Sequence, residues 1–505
     1  MDNTLNPTPP HSASRPAWRV GLSGFVFLFL ALVLSAFSLR LLRIENRPFH
    51  TDEAVNAQLL EDLNREGVFH YRANDHHGPL LFYVTAPLLR IAGITRTDDM
   101  QAWMLRIVPV LAGTALVAAA ALFRPWLGTP AALATAALLA LAAPFVYYSG
   151  IFIHETLLVL LLLCWISMVW RWRQTGSVFT AALAGWITGL MLATKETAAP
   201  ILILGGLALL PGTRLPPTTW FRGAAAALVL AFLTTLLLYS DFGRQPDQAF
   251  ALLDAVTHQW GRATGTDHAH PWSTYLSWMF LPSPIGFPWS SWIMVAGLIT
   301  AFPCLRHDPL PRALTLFALL LLLFFSTLPY KTPWLQLAFW LPALPVAALG
   351  WSLLLHRHPR VAWTAAALAL VLMGLETSSR CLRFDADPRN PLAYSPSSPD
   401  LERLQRDLAV LAHKPTAPNG QTKPGEFIIQ VIAPDYWPLP WTLRHHPNTG
   451  FWNTPPTTLL PGLVLAAPEF LGALDLVPPL TPYEIRPGLT LFLGRSPSST
   501  SPPLP

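Results

Sequence analysis

The sequence predicts an α-helical polytopic membrane protein, with about eleven membrane-crossing helices and an interfacial helix, that carries a small α/β domain outside the bilayer. Three observations predict it. The 505 residues are 52% hydrophobic and only 12% charged, about half the ~25% charged content of soluble domains. The deficit is concentrated in long apolar runs such as Gly21–Leu39, Ala131–Phe145, Leu157–Val169, Gly223–Leu238 and Ala313–Phe325. A bilayer core needs about 20 such residues in helical form, because lipid offers the backbone no hydrogen-bond partner. After about residue 378 the composition turns polar and Pro-rich. A large soluble protein with buried helices is the bland alternative, and so many runs with so few charges argue against it.

Residues 1–19 are polar and rich in Pro and Ser, and are expected to be a disordered cytoplasmic tail. Arg15 and Arg19 precede the first run, and no small-residue cleavage site follows it, so that run reads as a retained helix rather than a signal peptide. Spans are expected at roughly 20–42, 104–123, 130–147, 156–171, 179–194, 198–211, 222–240, 285–303, 313–328, 334–355 and 361–377. The run Pro79–Ile94 is ambiguous in length, and charge decides it. If it stays at the outer interface and the N-terminus is cytoplasmic, Arg124, Arg171, Arg173, Arg214, Arg222, Arg306, Arg312, Arg357 and Arg360 all fall in cytoplasmic connections, as the positive-inside rule expects. The net charge of +5 is therefore topological information and does not point to nucleic acid. The three cysteines show no spacing for a metal or a disulfide framework.

The membrane domain is expected over 20–378 and an extracytoplasmic α/β domain over 379–495, with 496–505 a disordered tail. In the outer domain Leu401–His413 reads as an amphipathic helix. Phe427–Ala433 and Leu463–Ala467 read as buried strands, and Tyr483–Ile485 with Thr490–Leu493 as a hairpin around Pro487-Gly488.

The same parity gathers the unusual polar clusters on the outer face. His50-Thr51-Asp52-Glu53 follows the first span. Adjacent carboxylates at a bilayer surface need solvent, a partner or a use; Asp52 suits a general base and Glu53 a neighbour that orients it, although the first turn of a surface helix also favours acids. His76 and His77 precede Gly78-Pro79 and can meet a phosphate. Their adjacency is not the i, i+4 spacing of a zinc helix, so no metal ligand set is assigned. His154 and Glu155 open a span and can orient a sugar hydroxyl, or simply cap it. Lys195-Glu196 sits in a tight connection as a phosphate ligand or a structural pair. Tyr330-Lys331-Thr332-Pro333-Trp334 sets a lysine among aromatics, where its ammonium can neutralise a phosphate or snorkel. Arg106, at the outer end of its span, is a similar case. Trp441 and Arg444 lie in an aromatic stretch of the outer domain that can stack on a sugar or dock on the membrane domain.

The order of these pieces resembles the GT-C membrane glycosyltransferases, which include protein O-mannosyltransferases and lipid A aminoarabinose transferases. It is most similar to a prokaryotic family described as flippase-activity-associated. The residues that carry the likeness are TDEAVNA (51–57), HGPLLFY (77–83), IHET (153–156), ATKET (193–197), YKTPWL (330–335) and DYWPLPWTLR (435–444), and it spans about residues 20–495. The resemblance implies a hexosyltransferase that takes a sugar from a polyprenyl-phosphate donor to a hydroxyl of an acceptor protein, lipid or glycan, with inversion, on the outer side of a bacterial inner membrane. Asp52 would be the catalytic base and Glu53 its partner. Lys331, Arg106, His77 and Lys195 would meet the donor phosphate, and His76, His154, Glu155, Tyr330, Trp334, Trp441 and Arg444 the substrates. Mannosyltransferases have His-Pro-Pro where this chain has His77-Gly78-Pro79, which puts the mode of donor recognition in question. No cofactor is implied with certainty, and a carboxylate-held divalent cation stays open. The rival reading is a lipid-linked-oligosaccharide flippase or accessory subunit without catalysis. It would call for charges buried mid-span, whereas the charges here gather at helix ends.

Overall fold

The computed structural model describes residues 21–72, 77–265, 269–413 and 428–496. The expected N-terminal tail, nearly all of the expected C-terminal tail, and His76 lie outside the described residues. The first span is α1 (Leu22–Leu41). It leads to two helices, α2 (Thr51–Glu66) and α3 (Leu80–Ile91). At 12 residues and about 1.5 Å per residue, α3 is much shorter than a bilayer core.

The chain then runs through α4 (Ala102–Ala119), a short α5 (Arg124–Leu127), α6 (Thr129–Leu141), α7 (Ala143–Tyr148) and α8 (Glu155–Thr175). Next come α9 (Val178–Leu192), α10 (Ala198–Leu209) and α11 (Pro217–Tyr239). After α11 the chain forms two further helices, α12 (Ala251–Thr264) and α13 (Thr274–Phe280). The last membrane-domain helices are α14 (Trp289–Ala301), α15 (Pro309–Thr327), α16 (Gln336–Arg357) and α17 (Pro359–Thr377), which continues as a π-turn over Ser378–Arg383.

Every one of the expected spans contains a helix. Seven are long and apolar enough to cross a membrane: those built on α1, α4, α8, α11, α15, α16 and α17. The helices α6, α9, α10 and α14 are 12 to 15 residues long, so length alone does not make them spans. The expected span 130–147 is in fact broken. Ala142 is extended, and Pro144, which has no N–H to give the preceding turn, starts α7 afresh.

The bundle is held by small residues and by a central α16. At Gly185 and Gly189 of α9 an added Cβ would fall 2.0 Å from the Ala227 carbonyl oxygen and 2.5 Å from Thr234 Cβ of α11. This is the small-xxx-small contact by which backbones approach in lipid, where packing rather than water drives association. Residues Gln336 to Ala348 of α16 are all buried. By contrast α1 shows Leu22, Phe27, Leu30 and Leu34 at its surface, as a lipid-facing helix does.

The C-terminal domain begins at α18 (Asp400–His413). It continues with β1 (Ile428–Ile432), α19 (Leu439–Thr442), β2 (Thr449–Trp452), β3 (Gly462–Ala466), α20 (Leu471–Leu474), β4 (Val477–Arg486) and β5 (Leu489–Arg495). The sheet order is β2-β1-β3-β5-β4, with β1 parallel to β2 and β3, and β5 antiparallel to β3 and β4. Leu401, Leu404, Leu408 and Leu411 of α18 pack on Ile429, Val431, Leu465 and Leu493. The expected helix, two strands and hairpin are present. The strand β2 was not expected: Gly450-Phe451-Trp452 follows Pro447 and Asn448 and reads as an aromatic loop.

Candidate functional site

Helix ends and connections converge through a ring of contacts between segments far apart in the chain. It starts at α2. His50 is its N-cap: its Nδ1 accepts from the Asp52 amide (3.1 Å), while Glu53 accepts from the His50 amide (2.9 Å). This reciprocal capping box satisfies two of the orphan donors of the first turn. Because Nδ1 accepts, Nε2 carries the proton, and it donates to the Tyr394 carbonyl at 2.8 Å.

Glu53 is completely buried and forms a bidentate pair with Arg106 of α4, both N···O distances being 2.7 Å. It also accepts from the Phe152 amide at 2.8 Å. Burial alone would push its carboxyl up; the adjacent guanidinium and the two amides outweigh it and hold the carboxyl below its ordinary range. Arg106 uses its remaining donors on the Ile44, Arg47 and Pro48 carbonyls. All five N–H groups of a guanidinium are then engaged. Arg106, expected at the donor phosphate, is instead the internal partner of Glu53.

From Phe152 the ring passes to the start of α8. Asn56 donates to the Phe152 carbonyl (2.9 Å), and His154 Nε2 lies 3.2 Å from the Gly78 carbonyl. Glu155 forms a buried ion pair with Lys195, which lies in the turn between α9 and α10. The Lys195 ammonium is 5.9 Å from the centre of the Trp334 ring, and Trp334 meets His50 edge-on at 6.3 Å, which closes the ring. Beside it, His77 Nδ1 is 3.0 Å from Glu196, whose other oxygen accepts from the Tyr71 hydroxyl at 3.3 Å. Burial opposes the charge of Glu196, but His77 and Lys195 outweigh it and keep its carboxyl below the ordinary range. Gly78 is required here by close approach: an added Cβ would lie 2.2 Å from the Ala193 oxygen.

Asp52 differs from its neighbours. Its side chain is 45% exposed, and the His50 ring nitrogen Nδ1 lies 3.9 Å from its carboxylate. Burial raises the Tyr330 phenol to about 12, against the pull of Arg262, and the carboxylates of Asp52 and Glu155 add to it. Both acids therefore lie within electrostatic reach of Tyr330. Trp334 also meets Tyr148 (6.3 Å) and Tyr394 (5.6 Å) edge-on, so the carboxylate stands at an aromatic-lined site.

Three further expectations change. Lys331 is buried, and its ammonium donates to the Leu328 and His270 carbonyls; burial lowers its pKa. Trp441, expected at a substrate, stacks on Phe49, with ring centres 3.8 Å apart. Arg444 lies over Trp441 at 4.1 Å and donates to its carbonyl. The Trp441–Phe49 stack docks the C-terminal domain, helped by Ser397 to the Phe49 carbonyl (2.6 Å) and Arg486 to Thr51 (3.3 Å).

Sequence reasoning missed His50 as a cap and Tyr394 as its partner. The first is legible as the residue before Thr-Asp-Glu; the second sits in a connecting segment with no pattern. For a divalent cation the donor set is poor: Glu53, Glu155 and Glu196 each face a cationic or imidazole partner. Among the described residues no group of three or more His, Cys, Asp or Glu could hold a metal.

A helical bundle with a small appended sheet is the arrangement of the GT-C fold, and comparison with solved structures shows that fold. ArnT from Cupriavidus metallidurans bound to undecaprenyl phosphate is similar with a TM-score of 0.63 at 16% identity, covering 96% of this chain and 100% of that one. The Archaeoglobus fulgidus oligosaccharyltransferase in its apo form gives 0.53 at 13% identity, over 88% and 70%. The same organism's AglB in complex with an inhibitory peptide and a dolichol-phosphate gives 0.53 at 14%, over 88% and 69%. No family model matches the sequence, and no curated protein matches it. The chain is a multi-pass membrane protein of this fold.

Proposed function

We propose that the protein is a hexosyltransferase that moves a sugar from a polyprenyl-phosphate donor to an acceptor hydroxyl at the extracytoplasmic face of a bacterial inner membrane, with inversion. One observation carries the reading: within the ring, Asp52 alone is a carboxylate left without a cationic partner, and it is half-exposed beside Tyr330 and Tyr394. The lipid carriers named with ArnT and AglB support the donor class.

In the step proposed, the acceptor oxygen attacks the anomeric carbon as the bond from that carbon to the phosphate oxygen breaks. The hydroxyl proton passes to Asp52, and polyprenyl phosphate leaves. A base within about 2.6–3.2 Å of the hydroxyl is what such a step requires. Charge develops on the leaving phosphate, and pre-set cations lower that cost. Lys195 and His77 are the candidates, and Lys331 becomes one if its ammonium turns from the two carbonyls. We assign Glu53 and Arg106 to positioning, since they fix the first turn of α2 on which Asp52 stands. Trp334, Tyr330, His154 and Glu155 line or support the sugar site.

The test is transfer from a radiolabelled polyprenyl-phosphate hexose by purified protein, comparing Asp52→Asn. A drop of at least about 100-fold is expected for loss of a general base, and unchanged turnover rejects the assignment. With a cytoplasmic N-terminus, a cysteine at Arg96 should react with an impermeant reagent from outside and one at His307 should not. The opposite pattern overturns the proposed orientation.

A further inference from the structure

The mechanism makes no use of three arginines at the outer end of the first span. Arg40, Arg43 and Arg47 follow one another at helical spacing, and with Tyr147, Gly150 and Cys381 they line a small pocket open to solvent. Arg40 is buried. Its guanidinium donates only to neutral oxygens: Ser149 Oγ and the Ala36, Leu139 and Ala140 carbonyls. Arg43 is 40% exposed and pairs through Nε and Nη2 with Asp385, leaving Nη1 over. Arg47 lies 3.8 Å over the Tyr147 ring and donates to the Tyr147 and Asp385 carbonyls. Among the described residues Asp385 is thus the one carboxylate that pairs with any of the three guanidiniums, and it pairs with Arg43 alone, so the pocket has surplus positive charge.

Its position narrows what that charge is for. The 20 residues of α1 run about 30 Å, the thickness of a bilayer core, so residues just past its end stand at headgroup level. Arginine clusters are disfavoured on the outer side of a membrane, so topology does not explain this one. Leu42, beside the pocket, is exposed, as are the lipid-facing residues of α1. The pocket is also separate from Asp52. Tyr147 faces Arg47, whereas its neighbour Tyr148 turns to Trp334, so the two tyrosines of α7 belong one to each site.

We propose that this pocket binds the phosphate of an anionic lipid of the outer leaflet, as a second lipid site independent of the donor. Planar guanidiniums suit phosphate oxygens in paired hydrogen bonds, and the open side toward α1 leaves the acyl chains in the bilayer. The inference stands whether or not Asp52 is catalytic.

The experiment is native mass spectrometry of the full chain in neutral detergent, titrated with phosphatidylglycerol, phosphatidylcholine or inorganic phosphate. One phosphatidylglycerol adduct is expected, weakened about tenfold or more by Arg43→Gln with Arg47→Gln and unaffected by Asp52→Asn. An adduct that persists in the folded double variant overturns the proposal. So does one abolished by Asp52→Asn, which would belong to the donor site, and so does inorganic phosphate binding without lipid binding. Should the double variant fail to fold, Arg43→Gln alone, at an exposed side chain, carries the same test.

Discussion

Asp52 and Glu53 are adjacent in the chain and opposite in circumstance. Glu53 has no exposed surface and accepts from a bidentate guanidinium and two backbone amides. Asp52 is half-exposed and has one long contact to His50. A buried pair is costly to break because it leaves an uncompensated charge, whereas a loosely held carboxylate is free to take a proton from a ligand. Two acids one residue apart thus divide into one that fixes geometry and one that is available for chemistry.

The comparison can be broken at several points. The largest effect is expected from Asp52→Asn, with transfer falling about 10²–10⁴-fold while the thermal unfolding midpoint in detergent stays near wild type. A parallel fall in stability would mean that Asp52 is structural after all. Arg106→Ala should do the reverse first, lowering stability by about 3–5 kcal/mol. Its dependence on pH has a definite sign. The Glu53 carboxyl is held below its ordinary value in the folded protein, so its contribution is full above about pH 4.3, the ordinary glutamate value, and disappears as pH falls through the folded-state value. The stability gap between wild type and Arg106→Ala should therefore be widest near neutrality and narrow in acid. A constant gap across unfolding scans at several pH values would show that lost packing, not charge, is responsible.

Trp441→Ala sharpens the comparison from the C-terminal domain. It removes the stack on Phe49 and should cost about 3–5 kcal/mol, as truncating a buried tryptophan does. The loss should appear as faster amide exchange in α2 and α18 with donor affinity unchanged; a selective rise in the donor KM would restore Trp441 to the substrate site. The smallest effect, about 1–3 kcal/mol, is expected from Gly78→Ala, which drives a Cβ into the Ala193 carbonyl and should loosen His77 from Glu196. Unchanged stability and activity would mean that the α3 entrance shifts freely.

Much of the membrane domain was legible because lipid imposes one rule, and apolar length with basic punctuation records it. The polar segments at helix ends were legible as a set for the same reason: charge near a helix end in lipid is rarely idle. Which side chain does what was not legible. Nothing in Arg106, Lys331 or Trp441 as residue types separates a phosphate ligand or sugar platform from an internal partner, a carbonyl-bound ammonium or a docking ring. That choice is made by neighbours up to hundreds of residues away, such as Tyr394 on His50. The break at Ala142 was visible in Pro144, but the apolar run on either side masked it. Strand β2 is four residues long at a sheet edge, too short for alternation to register.

The Glu53–Arg106 pair also bears on biogenesis. Glu53 stands in the first turn of α2 and Arg106 in α4, so this staple across the α2–α3 excursion can close before the helices that follow α4 have been synthesised. The Phe152 amide, which arrives a span later, then locks it. A nascent chain with either partner replaced would carry a lone charge at the lipid boundary until quality-control proteases meet it.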